Sequence, residues 1–175
     1  MPSLHSRISG CLALGDALGT PTQPTPEATR ARYGIICGFV APHADDPFGH
    51  AGLRAGQITD DTQAALALVH AVIRKCTFSL DIAAQALLDW LEGVDVESSP
   101  YFGPSTKAAY RALKRGVSPT ESGLGGATNG AAMRVAPLGF LSADREVVVR
   151  YAVWSAMPTH NTPPGLASAA AVAAA

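Results

Sequence analysis

The chain has 175 residues, the usual size of one domain and small for two. Thirteen basic and fourteen acidic side chains leave a net charge of −1, which argues against both a basic nucleic-acid footprint and an acidic solvating tail. With 47% apolar and 15% charged residues, the chain can bury a core, which argues against global disorder.

Alanine is the commonest residue, 32 by count, against 18 for valine and isoleucine together, so the composition leans all-α. A first helix is predicted over Arg7–Leu18, with Ile8, Cys11, Leu12, Leu14 and Ala17 on a broad apolar face and Gly19 and Pro21 stopping it. Residues 19–58 read as irregular, rich in Gly, Pro and Asp. The patch GIICGFV (34–40) reads as a strand or a buried loop. A helix over Asp60–Lys75 follows, with Asp60 as N-cap, Gln63 completing a capping-box-like pair, and Ala65, Leu68, Val69, Val72 and Cys76 at helical spacing. Ser79–Glu92 is the third, capped by Ser79, with Ile82, Ala83, Ala86, Leu87, Trp90 and Leu91 as its buried stripe and Gly93 at its end. Thr106–Arg115 is the fourth, stopped by Gly116, and 117–128 is a turn-rich loop. Asn129–Leu141 reads as a short helix ending near Pro137. Ser142 is the expected cap of Ala143–Met157, although VVV at 147–149 favours a strand locally. Pro163 and Pro164 open a last helix still running at Ala175. That helix shows no Gly, Asn or cationic last turn, so a single, incomplete domain over 1–175, truncated at its C-terminus, is expected. Its uncovered apolar faces would favour aggregation, a homo-oligomer or a complementing C-terminal chain.

Cys11, Cys37 and Cys76 are odd in number and include no C-x-x-C, so they read as reduced thiols in a cytoplasmic protein rather than as disulfides or a zinc site. MPSLHSRISG holds no apolar run that reads as a signal peptide. The uncharged run 165–175 falls short of the roughly 20 residues that span a bilayer, so neither membrane nor nucleic acid is an expected partner.

Four segments carry candidate chemistry. In Ile58-Thr59-Asp60-Asp61-Thr62 two adjacent carboxylates and two hydroxyls stand where a helix begins. One carboxylate satisfies the helix end and the other is surplus, free for a hard cation such as Mg²⁺ or Mn²⁺; an ordinary acidic first turn is the plainer alternative. Asp16 lies inside the otherwise apolar GCLALGDALGTP (10–21). Buried, it needs a partner or a metal; on the polar face it simply meets water. The glycines of GGATNGAAMR (125–134) let backbone N–H groups approach a phosphate, but the Lys-Ser/Thr pair of a P-loop is absent, and Asn129 serves equally as an N-cap. Thr159-His160-Asn161 holds a lone histidine, a type more often structural than catalytic. H-E-x-x-H and G-x-S-x-G are both absent.

In order along the chain, GCLALGDALGTP (10–21), ITDDTQAALAL (58–68), FGPSTKAAYRAL (102–113), NGAAMRVAPLGFL (129–141) and PTHNTP (158–163) resemble the ADP-ribosylglycohydrolase family. The resemblance implies an all-α, orthogonal multi-helix bundle and a binuclear Mg²⁺ or Mn²⁺ centre that cleaves N- or O-glycosidic bonds to ribose. The substrate would be an ADP-ribosylated protein or a small ribosylated molecule. It places Thr59, Asp60 and Asp61 as metal ligands, with Asp60 and Asp61 catalytic. Gly126, Thr128, Asn129 and His160 become substrate-facing, and Asp16 supports the metal shell from outside. A metal can orient the ribose diol and lower the pKa of a bound water, and a neighbouring carboxylate can take its proton. Two departures stand out. Gln23 aligns with a family glutamate of the metal shell, and no Asp-x-Asp occurs, Asp95-Val96-Glu97 being the nearest approach. The missing acidic cluster is expected beyond Ala175. The alternatives are a non-catalytic ADP-ribose-binding or structural member of the family, motivated by Gln23, and a hydrolase of small nucleosides.

Overall fold

The computed structural model describes residues 4–99 and 102–175, and for residues 4–9 the backbone only. The place of Ile8 on the first apolar face therefore lies outside the described side chains. Seven α-helices follow one another: α1 Leu4–Gly19, α2 Pro26–Tyr33, α3 Asp60–Lys75, α4 Leu80–Gly93, α5 Pro104–Lys114, α6 Arg145–His160 and α7 Pro163–Ala174. Two 3-10 turns, Asn129–Ala131 and Ala136–Phe140, link α5 to α6. No strand occurs among the described residues, so the fold is all-α as expected.

Helix α6 packs on α7, α4, α5 and both 3-10 turns, while α3 lies between α1 and α4. The main core draws Leu68 from α3, Leu87 from α4, Val135 and Leu138 from the turns and Val148 from α6; most of its other members are alanines, including Ala152, Ala156, Ala169 and Ala173. Small side chains let the helix axes approach closely. At Gly139 a Cβ would stand 2.4 Å from the Ala173 carbonyl oxygen of α7. A second cluster of Leu91, Val96 and Phe102, with Trp90 edge-on to Phe102, ties the end of α4 to the start of α5.

Several expectations change. Helix α2 interrupts the stretch read as irregular. It has no buried residue and hence no apolar stripe to find, but Thr25 caps it by accepting from Ala28 N, Pro26 opens it and Glu27 sits in its first turn. Residues 34–40 form neither strand nor buried loop: Ile35 is 82% exposed and Phe39 51%. Polar contacts hold the chain around it, with His43 N donating to the Tyr33 hydroxyl and, farther on, Phe48 N and His50 N to Asp46 Oδ1. Asn129–Leu141 is two 3-10 turns rather than one helix, with Thr128 as N-cap of the first; Pro137 cannot donate to an α-helical ladder. Asp144, not Ser142, caps α6 by accepting from Glu146 N, while Ser142 Oγ accepts from Asp144 N. The VVV run stays helical because Val148 is buried in the core. Helix α6 runs through Pro158 to His160, and α7 opens as expected at Pro163, with Thr162 accepting from Gly165 N. Cys76 ends α3 in the left-handed region, exposed rather than on the apolar face. No helix among the described residues is long and apolar enough to cross a membrane.

Candidate active site

Helix α3 begins against the last turn of α1. Its N-cap is Thr59, one residue before the expected Asp60, and Thr59 makes no side-chain cap bond. The orphan N–H groups of a helix start need acceptors, and Asp16 supplies them from α1. Its Oδ2 accepts from Thr59 N at 2.8 Å, from Thr62 Oγ1 at 2.6 Å and from Thr62 N at 3.3 Å, and its Oδ1 accepts from Thr59 Oγ1 at 2.7 Å. These bonds explain why an aspartate stands inside an apolar helix. With Thr59 N taken by Asp16, no capping box forms, and Gln63 Oε1 instead accepts from Trp90 Nε1 at 3.4 Å.

Because Asp16 does the capping, both Asp60 and Asp61 are surplus to it, not one of them. Both line a cleft of about 970 Å³. Desolvation, then the Asp61 charge, push the Asp60 carboxyl up to about 6; desolvation, then the Asp16 charge, raise Asp61. Negative charge is therefore crowded here beyond what the helix end absorbs.

The rest of the cleft comes from four places. Residues 11–22 give Cys11, Leu12, Gly15, Asp16, Thr20 and Thr22; the 43–58 loop gives Pro47, Phe48 and His50. The start of α5 gives Phe102, Gly103, Pro104 and Thr106, and the wall facing α3 carries Thr128, Asn129, Gly130 and Met133. Phe48, His50 and Thr106 had no signal in the local pattern, because the loop and helix start that bring them in are set by tertiary packing.

Gly126 and His160 do not line the cleft; they stand behind Thr128 and Asn129. His160 is fully buried, with Nε2 2.8 Å from Thr128 Oγ1 and Nδ1 2.8 Å from Thr159 Oγ1. The loop is moulded on it. A Cβ at Gly130 would lie 2.5 Å from His160 Cε1, and one at Gly126 would lie 2.1 Å from the Thr159 carbonyl oxygen. Burial, then the Arg134 charge, lower the imidazole to about 4, so it is neutral at pH 7. Arg134, the cation of NGAAMR, is 2% exposed; it donates from Nη2 to Ser155 O and Thr159 Oγ1, both at 2.7 Å. Its signal was a lone cation in the apolar run 131–138. Gln23 also lies outside the cleft wall. Its backbone N–H donates to Thr29 Oγ1 and its amide nitrogen to the Thr22 carbonyl at 3.5 Å.

Thr59, Asp60 and Asp61 offer only hard oxygen donors, which fits Mg²⁺ or Mn²⁺ by chemistry. Among the described residues no group of three or more His, Cys, Asp or Glu side chains is arranged to hold a metal ion, so these residues make at most part of a shell.

The model of the ADP-ribosylglycohydrolase family matches residues 1–175. An uncharacterized protein, YegU, of Escherichia coli (strain K12) is 34% identical over 95% of this chain and 52% of its own length. An uncharacterized protein of Archaeoglobus fulgidus is 37% identical over 94% and 52%. The ADP-ribosyl-[dinitrogen reductase] glycohydrolase of Rhodospirillum rubrum is 30% identical over 93% and 54%. The chain thus spans about half the length of the curated relatives it matches. It belongs to the ADP-ribosylglycohydrolase family.

Proposed function

We propose that this chain supplies about half of the metal shell of a hydrolase of ADP-ribosyl bonds, with Thr59, Asp60 and Asp61 holding Mg²⁺ or Mn²⁺. The observation that carries this reading is the release of both Asp60 and Asp61 from capping by Asp16, at the edge of a cleft large enough for a nucleotide-sized ligand. A bound divalent cation would orient ribose hydroxyls and acidify a water. The chain's own residues do the rest. Asp16 fixes where α3 starts and so where the two carboxylates point. In the metal-free chain desolvation and the Asp61 charge push the Asp60 carboxyl up to about 6, so cation binding there would compete with its proton. Thr128 and Asn129 line the same cleft as the carboxylates and would contact the ligand, with His160 bonded to Thr128 from outside the cleft. The chain spans about half the length of its curated relatives, and the rest of the shell would come from a segment matching their other half.

The test is release of ADP-ribose from ADP-ribosylated arginine or serine by this chain together with a fragment matching the other half of its relatives, with and without Mn²⁺. Manganese-dependent release that disappears in Asp60→Asn is expected; metal-independent release, or none at all, contradicts the reading. Gln23 favours a second reading, a member that binds ADP-ribose without cleaving it. In that case ADP-ribose binds the assembled protein without turnover, and Gln23→Glu restores cleavage.

A further inference from the structure

A line of polar atoms runs from the core to the cleft. Arg134 Nη2 donates to Thr159 Oγ1 at 2.7 Å, Thr159 Oγ1 stands 2.8 Å from His160 Nδ1, and His160 Nε2 stands 2.8 Å from Thr128 Oγ1, on the cleft wall. Three of the four residues are essentially sealed: Arg134 is 2% exposed, Thr159 1% and His160 0%. The direction of the line follows from which groups can only donate. A guanidinium has no acceptor, so Thr159 Oγ1 must accept from Arg134. Its own proton then needs an acceptor, and His160 Nδ1 is the one within reach among the described residues. Were Nδ1 protonated instead, Thr159 Oγ1 would receive two donors and its own proton would be stranded in the core, an arrangement buried groups avoid.

We infer that Arg134 is a positioning residue: through Thr159 it fixes His160 as the Nε2–H tautomer, and so commits the Thr128 hydroxyl to presenting its proton to the cleft. His160 Nε2–H donates to Thr128 Oγ1, whose own hydrogen is left for the open side. Thr128 then has its hydrogen free for the cleft and one lone pair already taken, so it is set to donate to an acceptor oxygen of a ligand, as in a phosphate, carboxylate or carbonyl. Gly126 and Gly130 hold this setting by leaving room for nothing but the ring in its present place. The neutral imidazole that the line requires matches the burial of His160 beside a cation. The inference does not rest on the hydrolase reading, because it concerns hydrogen positions that exist with or without turnover.

Nitrogen-15 spectra of the imidazole side chains in the intact chain at pH 7, with His160 assigned by loss of its signals in His160→Gln, test it directly. The expected spectrum shows His160 protonated at Nε2 and bare at Nδ1. Thr159→Ser should keep that pattern, and Thr159→Val should lose it, the two nitrogens averaging. In Thr128→Val the Nε2–H proton should exchange with solvent at least tenfold faster than in the parent, with Thr128→Ser restoring the slow rate. A proton on Nδ1 in the parent, an unchanged tautomer in folded Thr159→Val, or unchanged exchange in Thr128→Val would each overturn it. If Thr159→Val does not fold, the tautomer of the parent decides.

Discussion

At the start of α3 three carboxylates, Asp16, Asp60 and Asp61, crowd one helix end, while behind Thr128 a buried arginine and a neutral histidine hydrogen-bond only to hydroxyl and carbonyl groups, with the Asp60 charge reaching Arg134 through space. On the acidic side Asp16 is consumed by four bonds to its neighbours, while Asp61 accepts one long bond, at 3.5 Å from Thr59 Oγ1, and both Asp60 and Asp61 are left with raised carboxyls. On the other side every named polar atom has a partner. The difference separates two uses of polar residues around one cleft. Unmet charge facing open space is a resource for a ligand, whereas a satisfied buried network sets geometry.

The comparison breaks most severely at Asp16. Asp16→Ala removes four hydrogen bonds that join α1 to α3. We expect a loss of about 3 kcal/mol in denaturant titrations, charge-assisted bonds contributing most of it. A loss under 1 kcal/mol would mean that the α1–α3 junction is held by packing alone. On the satisfied side, Gly130→Ala drives a methyl to 2.5 Å from His160 Cε1. The expected cost is about 1–3 kcal/mol, most of it relieved in a His160→Ala background. Additive losses would show that loop and ring are not moulded together.

The two sides also titrate against each other. Asp60 is raised from 3.8 to about 6, so its contribution to stability is complete below about 4 and is lost as pH rises through 6. His160 is lowered from 6.5 to about 4, so its contribution is present above 6.5 and is lost as pH falls toward 4. Between pH 4 and 6.5 the two slopes oppose. Relative to the parent without added metal, Asp60→Asn should therefore lose stability as pH falls through this window, and His160→Gln should gain it, each by on the order of 1–2 kcal/mol. Parallel profiles for parent and variants would contradict the assignment. The smallest effect is expected for Gln23→Glu, within about 0.5 kcal/mol of the parent, because the side chain's bond to the Thr22 carbonyl is long and exposed. Unfolding midpoints measure it, and a larger change would give Gln23 a structural role.

The acidic wall was legible in the sequence and the satisfied one was not. Asp60-Asp61 precede an apolar run of helical period, and Asp16 is an anomaly inside another, so both announce themselves locally. Which of them caps α3 was not legible, since Asp16 and Thr59 are 43 residues apart along the chain. Thr159-His160-Asn161 carries no sign of which way the imidazole turns. That is decided by two glycines 30 and 34 residues earlier, whose missing Cβ atoms admit the ring. Helix α2 escaped because it buries nothing, and 129–141 was misread because its apolar residues fill space around Pro137 without a helical ladder.

The central claim, that Asp60 and Asp61 are held free for a divalent cation, is tested most directly by adding substoichiometric Mn²⁺ to the nitrogen-15-labelled chain at pH 7.5 and following paramagnetic broadening of its amide signals. The expected result is early and selective loss of signals around Thr59–Thr62, Asp16 and Thr128–Gly130, abolished by Asp60→Asn and weakened about tenfold for each pH unit below 6 as protons compete. Broadening that instead centres on exposed acids such as Asp45 or Glu97, or that persists unchanged in Asp60→Asn, would contradict it.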